Sequence, residues 1–287
     1  MFQARIKGKM KTDTAISSTN PIAVGDLVDM EPEADQDGNA LISKVRQRNN
    51  YIVRVSPHNR HQKHIVAANL DLALLITTIK SPQTSVGFTD RFLVTAEAYQ
   101  IPAIIVINKT DLLEDEELEL LAQRQQIYEA AGYKVMAISA LEPASVEALR
   151  EHIQDKVTLF SGHSGVGKST LINLLIPGME LRTEEVSGWS GKGQHTTTFA
   201  EMFDLPGGGS IIDTPGVKEF GLIDMAQDEL AQYFPEMRAL LDGCRFHNCK
   251  HINEPGCAVK EGLATGAVSV ERYGSYLAIW ESLEKKW

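Results

Sequence analysis

Gly162-His163-Ser164-Gly165-Val166-Gly167-Lys168-Ser169 is the stretch on which the reading of this chain turns. It follows the apolar run Val157 to Phe160 and precedes the apolar-periodic segment Lys168 to Leu175, so it reads as a loop between a β-strand and an α-helix. Its glycine spacing and terminal Lys-Ser suit a loop whose backbone N–H groups close around phosphate oxygens, backed by the positive end of the helix. In such a loop Lys168 reaches the β- and γ-phosphates, the Ser169 hydroxyl ligates magnesium, and contacts extend to Thr170. Alone, the loop does not separate ATP from GTP.

Asn108-Lys109-Thr110-Asp111 follows the buried-type run Ala103 to Ile107, so its polar groups emerge at a strand's carboxyl end, where open α/β sheets bind ligands. An Asp carboxylate accepts from both N1–H and the 2-amino group of guanine, and adenine has no 2-amino group to offer. Asp111 is therefore expected to set base choice, with Asn108 bracing the loop and the Lys109 stem covering the ring. Ser139-Ala140, after the run Lys134 to Ile138, suits a small-residue loop whose backbone N–H meets guanine O6.

Asp213-Thr214-Pro215-Gly216 ends the run Ser210 to Asp213, as a magnesium-coordinating Asp should, with the Gly216 N–H free to touch the γ-phosphate. Between it and the phosphate loop lies a Gly/Ser-rich stretch, Thr183 to Gln194, ending in His195-Thr196-Thr197-Thr198. It reads as a switch segment in which one threonine, Thr197 by position, completes the magnesium shell. The three threonines equally suit the start of a β-strand.

Working outward, apolar strands alternate with amphipathic helices from about Asn69: Leu70 to Thr77, Thr89 to Ala98, Ala103 to Ile107, Glu116 to Ala131 and Lys134 to Ile138. The strand Val157 to Ser161, the helix Lys168 to Leu175 and strands Phe199 to Leu205 and Ser210 to Asp213 complete a parallel sheet covered by helices. Residues 1–66 read instead as short β-segments, Phe2 to Met10, Asp26 to Glu31 and Ala40 to Val55. Beyond Leu222, Leu230, Tyr233, Phe234, Met237, Leu240 and Leu241 recur at helical spacing, and Tyr273, Tyr276, Leu277, Trp280 and Leu283 share a second helical face. The expected domains are therefore 1–66, 67–222 and 223–287.

The net charge of −10 is unevenly spread: residues 1–66 carry ten Lys/Arg against seven Asp/Glu, and the remainder eighteen against thirty-one. Tyr51 among Arg46, Arg48 and Arg54 suits an RNA-binding face, although such charges also suit a solvated one. No apolar run approaches a membrane span or a signal-peptide core, which leads us to expect a cytoplasmic protein. The three cysteines all lie in Cys244-x4-Cys249-x-His251-x5-Cys257. Three thiolates and one imidazole satisfy a closed, structural tetrahedral zinc site.

In small GTPases the phosphate loop precedes the base-reading motif; here Asn108 to Asp111 and Ser139-Ala140 precede Gly162 to Ser169, a circular permutation. With these motifs the chain resembles the RsgA (YjeQ) family of permuted GTPases, which mature the bacterial small ribosomal subunit. The resemblance implies a multidomain protein: an N-terminal OB-like β-barrel, complete or lacking its first hairpin, a circularly permuted α/β P-loop GTPase domain and a C-terminal helical zinc-binding domain. An OB barrel needs five strands and residues 1–66 offer about three, with Arg5 to Lys9 resembling a mid-barrel strand of that family. It further implies GTP and GDP as ligands, magnesium with GTP, one zinc held by Cys244, Cys249, His251 and Cys257, the 30S subunit and its 16S rRNA as partners, and a monomer. Val217 stands where Ras-like enzymes place a water-orienting Gln, so His195, which resembles the histidine of the family's G-x-H-T-T-T switch, joins Lys168 and Asp213 as a catalytic candidate. The competing readings are an RNA-binding scaffold with a degenerate nucleotide site, against which Lys168, Ser169 and Asp213 argue, and a P-loop ATPase or kinase, which Asp111 disfavours.

Overall fold

The computed structural model describes residues 3–6, 20–32, 39–56, 59–181, 200–214 and 225–284. Strands β1 (Gln3–Ile6), β2 (Val28–Pro32) and β3 (Asn39–Val45) form a small sheet with β3 in the middle, parallel to β1 and antiparallel to β2. Strands β4 (Tyr51–Ser56) and β5 (Asn59–Ala68) form a separate antiparallel hairpin. The expected single segment Ala40 to Val55 is thus two strands in two sheets, and among the described residues no barrel closes. Asn50 makes the break. Its side chain donates to the Leu70 carbonyl and accepts from the Leu70 N–H, each at 2.8 Å, in place of a continuing ladder. The β1–β3 pairing is non-sequential and parallel.

The central unit runs β6 (Leu72–Thr78), α1 (Val86–Ala98), β7 (Ala103–Asn108), α2 (Asp115–Ala130), β8 (Lys134–Ala137), α3 (Pro143–Ile153), β9 (Val157–Ser161), α4 (Lys168–Leu175), β10 (Glu201–Asp204) and β11 (Ser210–Asp213). Its six strands lie in the order β10-β11-β9-β6-β7-β8, parallel except for β10 at one edge. Every residue of β6 is buried, as expected of a strand covered on both faces. Alternation sorts its side chains: Ala73 and Leu75 join the core under α1 and α2, whereas Leu72, Leu74 and Ile76 join that under α3 and α4. The helix α3 is absent from the expectation, although Pro143 is suited to a first turn and Val146, Leu149 and Ile153 pack inward.

Ile52, Val66 and Ala67 of the β4–β5 hairpin share the core of α1 and α2, so the expected boundary at residues 66 and 67 falls inside β5 and inside a common core. The C-terminal unit contains α5 (Pro235–Arg238), α6 (Ala258–Thr265) and α7 (Val270–Glu284) around a core of Leu230, Phe234, Met237, Val259, Val268, Tyr276 and Trp280. The helical pattern expected over Leu230 to Leu241 is broken into a 3-10 stretch, Gln227–Tyr233, and the short α5. Pro235 is the reason, because proline drives the preceding Phe234 out of the helical region and supplies no N–H. No described helix is long and apolar enough to cross a membrane.

Candidate nucleotide site and metal cluster

Because β11, β9, β6, β7 and β8 are parallel, their carboxyl ends share one rim, with the phosphate loop after β9, Asp213 ending β11, Asn108 ending β7 and Ser139 just past β8. Motifs that are scattered over more than a hundred residues of sequence therefore converge. Gly162 leaves β9 with φ +148°, and a Cβ there would lie 2.2 Å from the Ile76 carbonyl oxygen of the neighbouring strand. Gly167 has φ +97° and would push a Cβ to 2.4 Å from Asn108 Nδ2. Only glycine fits either position.

Asn108 Nδ2 donates to the Val166 carbonyl in the phosphate loop at 2.9 Å, and Asn108 Oδ1 accepts from the Ala140 N–H at 3.2 Å. One buried amide thus joins phosphate loop, base-reading loop and Ser139-Ala140 loop. Lys109 adopts φ 65°, and its ammonium donates to the Ser81 carbonyl at 2.6 Å. The Thr110 N–H donates to Ile138 O at 3.2 Å. Ser139 Oγ donates to Asp111 Oδ1 at 2.5 Å, which aims an otherwise exposed carboxylate.

Lys168 opens α4, followed by Ser169 and Thr170 in the first turn. Its ammonium donates to the Gly162 and His163 carbonyls at 2.7 and 2.9 Å. Burial pushes the Lys168 pKa down, which the nearby Asp213 charge partly counters. Burial pushes the Asp213 pKa up, with Lys168 and the Thr214 N–H opposing. Asp213 Oδ1 is buried with no hydrogen-bond partner among the described residues. Such an oxygen is costly unless something satisfies it, and a hard cation does so. His195, Thr197 and Gly216, expected in this site, lie outside the described residues, as does Val217.

In the C-terminal unit Cys244, Cys249, His251 and Cys257 bring one ligand atom each to within 4.8 Å of one another. A tetrahedral zinc with Zn–S bonds of about 2.3 Å needs sulfur atoms about 3.8 Å apart, so the donor set fits a structural metal. His251 Nδ1 is the inward nitrogen, 3.6 Å from Cys244 Sγ and 3.4 Å from Cys257 Sγ. Tyr273 and Tyr276 hydroxyls donate to the His251 and Lys250 carbonyls at 2.6 and 2.7 Å, holding the ligand loop on α7. Bonds that pin the loop carrying the ligands fix the orientation of those ligands. His247 is exposed and outside the cluster.

The basic N-terminal face is less free than its composition suggests. Arg48 lies on Asp26 through two bonds of 2.6 Å, and Arg46 on Asp29 at 2.7 Å. The Tyr51 ring packs 5.4 Å from that of Tyr99 on α1. The structure also exposes residues that the motifs do not announce. Arg272 of α7 is buried and ion-paired to Asp90 of α1 and Glu236 of α5, at 2.6 and 2.5 Å. A charge at each of two otherwise apolar helix faces, Asp90 beside Phe92 and Leu93 and Arg272 four residues before Tyr276, is the only trace in the sequence.

The Gly162 to Ser169, Asn108 to Asp111 and Ser139-Ala140 loops share one rim and are encoded in permuted order, the arrangement of a circularly permuted GTPase. The family profile described as RsgA GTPase matches residues 45–223. The chain is 48% identical over 285 residues to the small ribosomal subunit biogenesis GTPase RsgA of Bacteroides fragilis, covering 99% of this chain and 91% of that protein. The protein of that name from Flavobacterium psychrophilum is 50% identical over 281 residues, covering 98% and 86%. Among solved structures, YjeQ from Thermotoga maritima superposes with a TM-score of 0.78 at 32% identity, covering 99% of this chain and 90% of that one. YloQ, a circularly permuted GTPase, superposes at 0.75 with 28% identity, covering 100% and 87%. The chain belongs to the RsgA GTPase family.

Proposed function

We propose that this protein binds GTP with magnesium in the loop Gly162 to Thr170 and hydrolyses it while engaged on the 30S ribosomal subunit, assisting late maturation of that particle. The observation that carries this reading is the Asn108 amide, whose two bonds draw the phosphate-binding and base-reading loops into a single pocket. Asp111 accepts from guanine N1–H and the 2-amino group; an ionised carboxylate has about four lone-pair sites, so the Ser139 bond leaves room for both. Ala140 N–H exchanges its long bond to Asn108 Oδ1 for guanine O6, the Asn108–Val166 bond remaining to join the loops, and Lys109 covers the ring. Lys168 exchanges its two carbonyl partners for the β- and γ-phosphates, and Ser169, Thr197 and Asp213 form the magnesium site. The orphaned Asp213 oxygen supports that assignment.

In this reading His195 orients the attacking water, since Val217 has no polar atom for the task, and Gly216 N–H touches the γ-phosphate. Zinc at Cys244, Cys249, His251 and Cys257 is structural, because all four positions are protein ligands. The chain divides into an OB-like segment toward 16S rRNA, a GTPase domain and a zinc domain. We set the first boundary near residues 46–50 instead of 66, on the strength of the shared hairpin core. We read the protein as a cytoplasmic monomer.

GTP turnover with and without isolated 30S subunits tests the reading. Stimulation by the subunit that disappears in His195→Ala, with GDP affinity retained, is the expected result. Unstimulated turnover in the wild type would reject the ribosomal role.

A further inference from the structure

The helix α1 touches the phosphate loop at one end and the metal domain along its length. In its first turn the Phe88 ring lies 3.8 Å, centroid to centroid, from the His163 ring. His163 is the second residue of the phosphate loop, and its carbonyl oxygen is one of the two that hold the Lys168 ammonium. Two residues along α1, Asp90 accepts from Arg272 Nη1 at 2.6 Å, and both side chains are buried. Arg272 is fixed on its other side by Glu236 through bonds of 2.5 and 3.0 Å, and its guanidinium carbon lies 5.0 Å from the Phe234 ring centre. Val94 belongs to the C-terminal core, and Glu97 pairs with Arg238 at 2.9 Å.

These contacts differ in stiffness. A buried guanidinium gripped by two carboxylates cannot slide without exposing an unpaired charge to a low-dielectric interior, so α1 and the metal domain must move together. The contact at the phosphate loop, by contrast, has two alternatives. A phosphate seated in the loop competes with the Gly162 and His163 carbonyls for Lys168, and the residue that loses this bond is the one stacked on Phe88. Two sites couple when such an exchange biases a shared rigid element.

We propose that α1 is the element through which nucleotide in the phosphate loop sets the position of the C-terminal metal domain, with Phe88 reading His163 and the Asp90–Arg272 pair carrying the shift to α7. This rests on guanine nucleotide occupying the loop, as proposed above. Amide hydrogen exchange of residues 270–284 is measured in the full chain without nucleotide and with saturating GDP, and nucleotide affinity is titrated on the same samples. In the wild type GDP changes the exchange of α7 by about tenfold, a usual size for coupling between sites. Phe88→Leu keeps apolar bulk and Asp90→Asn keeps an oxygen for Arg272. Each is expected to bind GDP and retain its metal while the difference at α7 falls to about twofold or less, below that usual range. A merely structural contact would alter α7 exchange equally with and without GDP. Where Phe88→Leu proves unstable, Asp90→Asn decides. An α7 that ignores nucleotide in a wild type that binds it overturns the coupling, as does a full response in either variant. Failure of the wild type to bind guanine nucleotide would overturn the nucleotide site as well.

Discussion

Asn108 and Val166 stand 58 positions apart in sequence and are joined by a buried hydrogen bond of 2.9 Å from the Asn108 amide to the Val166 carbonyl. The bond ties the Asn108 to Asp111 loop to the Gly162 to Ser169 loop, so the proposed base and phosphate pockets would act as one receptor. Removing the amide leaves a buried carbonyl without its donor, at a cost of about 1–3 kcal/mol. Asn108→Ala is therefore expected to weaken GDP binding by about ten- to a hundredfold, the equivalent of that cost. Unchanged affinity in a calorimetric titration would separate the two loops energetically.

Asp111→Asn presents an amide donor where guanine also donates, so guanine nucleotide affinity falls and xanthine nucleotides gain. Competition between GDP and XDP reads this directly. An unaltered preference for GDP would take base choice away from Asp111.

Asp213 yields a prediction about pH and stability. Burial raises its pKa in the folded state, so the folded protein holds its proton above the pH at which the unfolded chain releases it. The associated stability is present below the unfolded value and is lost as pH rises through the folded one. At neutral pH burial of Asp213 therefore costs stability, and Asp213→Asn should raise Tm there. The gain should shrink toward pH 4, near the ordinary aspartate value. The same variant should lose magnesium-dependent turnover. Thermal unfolding at pH 4 and 7.5 provides the check, and a lower Tm for the variant at pH 7.5 would contradict it.

For the metal domain, elemental analysis is expected to find one zinc per chain, and chelation should loosen residues 244–284 because binding free energy at such a site is folding free energy. GDP affinity should change by no more than about tenfold, the size of the coupling that α1 carries between the metal domain and the phosphate loop. Loss of GDP binding together with the metal would show that the two units do not fold independently.

How much of this could be read beforehand depends on distance along the chain. The phosphate loop, the Asn108 to Asp111 loop and the Cys244 to Cys257 cluster are written in spans of four to fourteen residues. Over such spans glycine spacing, a strand's apolar run and a helix's first turn are coupled through the backbone itself. The strands β6, β7, β9 and β11 were legible for the same reason, their flanking apolar runs being continuous. The β5 strand was not, because its first half, Asn59 to His64, is polar and becomes a strand only by pairing with β4. The helix expected over Leu230 to Leu241 failed at Pro235, a local signal outweighed in the reading by the apolar spacing.

By itself, then, the sequence set out the candidate chemistry of this protein: which residues are expected to grip a triphosphate, select guanine and hold a metal, and that they come in permuted order. Only the tertiary structure decided that the N-terminal sheet stays open among the described residues, that the hairpin of Tyr51 to Ala68 belongs to the GTPase core, and that Arg48 and Arg46 face acids of their own unit. It also decided that Asp90 meets Arg272 across 182 positions. The physical reason is that a motif is a pattern of neighbours, whereas a strand pairing or a buried ion pair is a competition among all distant partners. That competition is settled by which arrangement buries the apolar surface and leaves no charge alone.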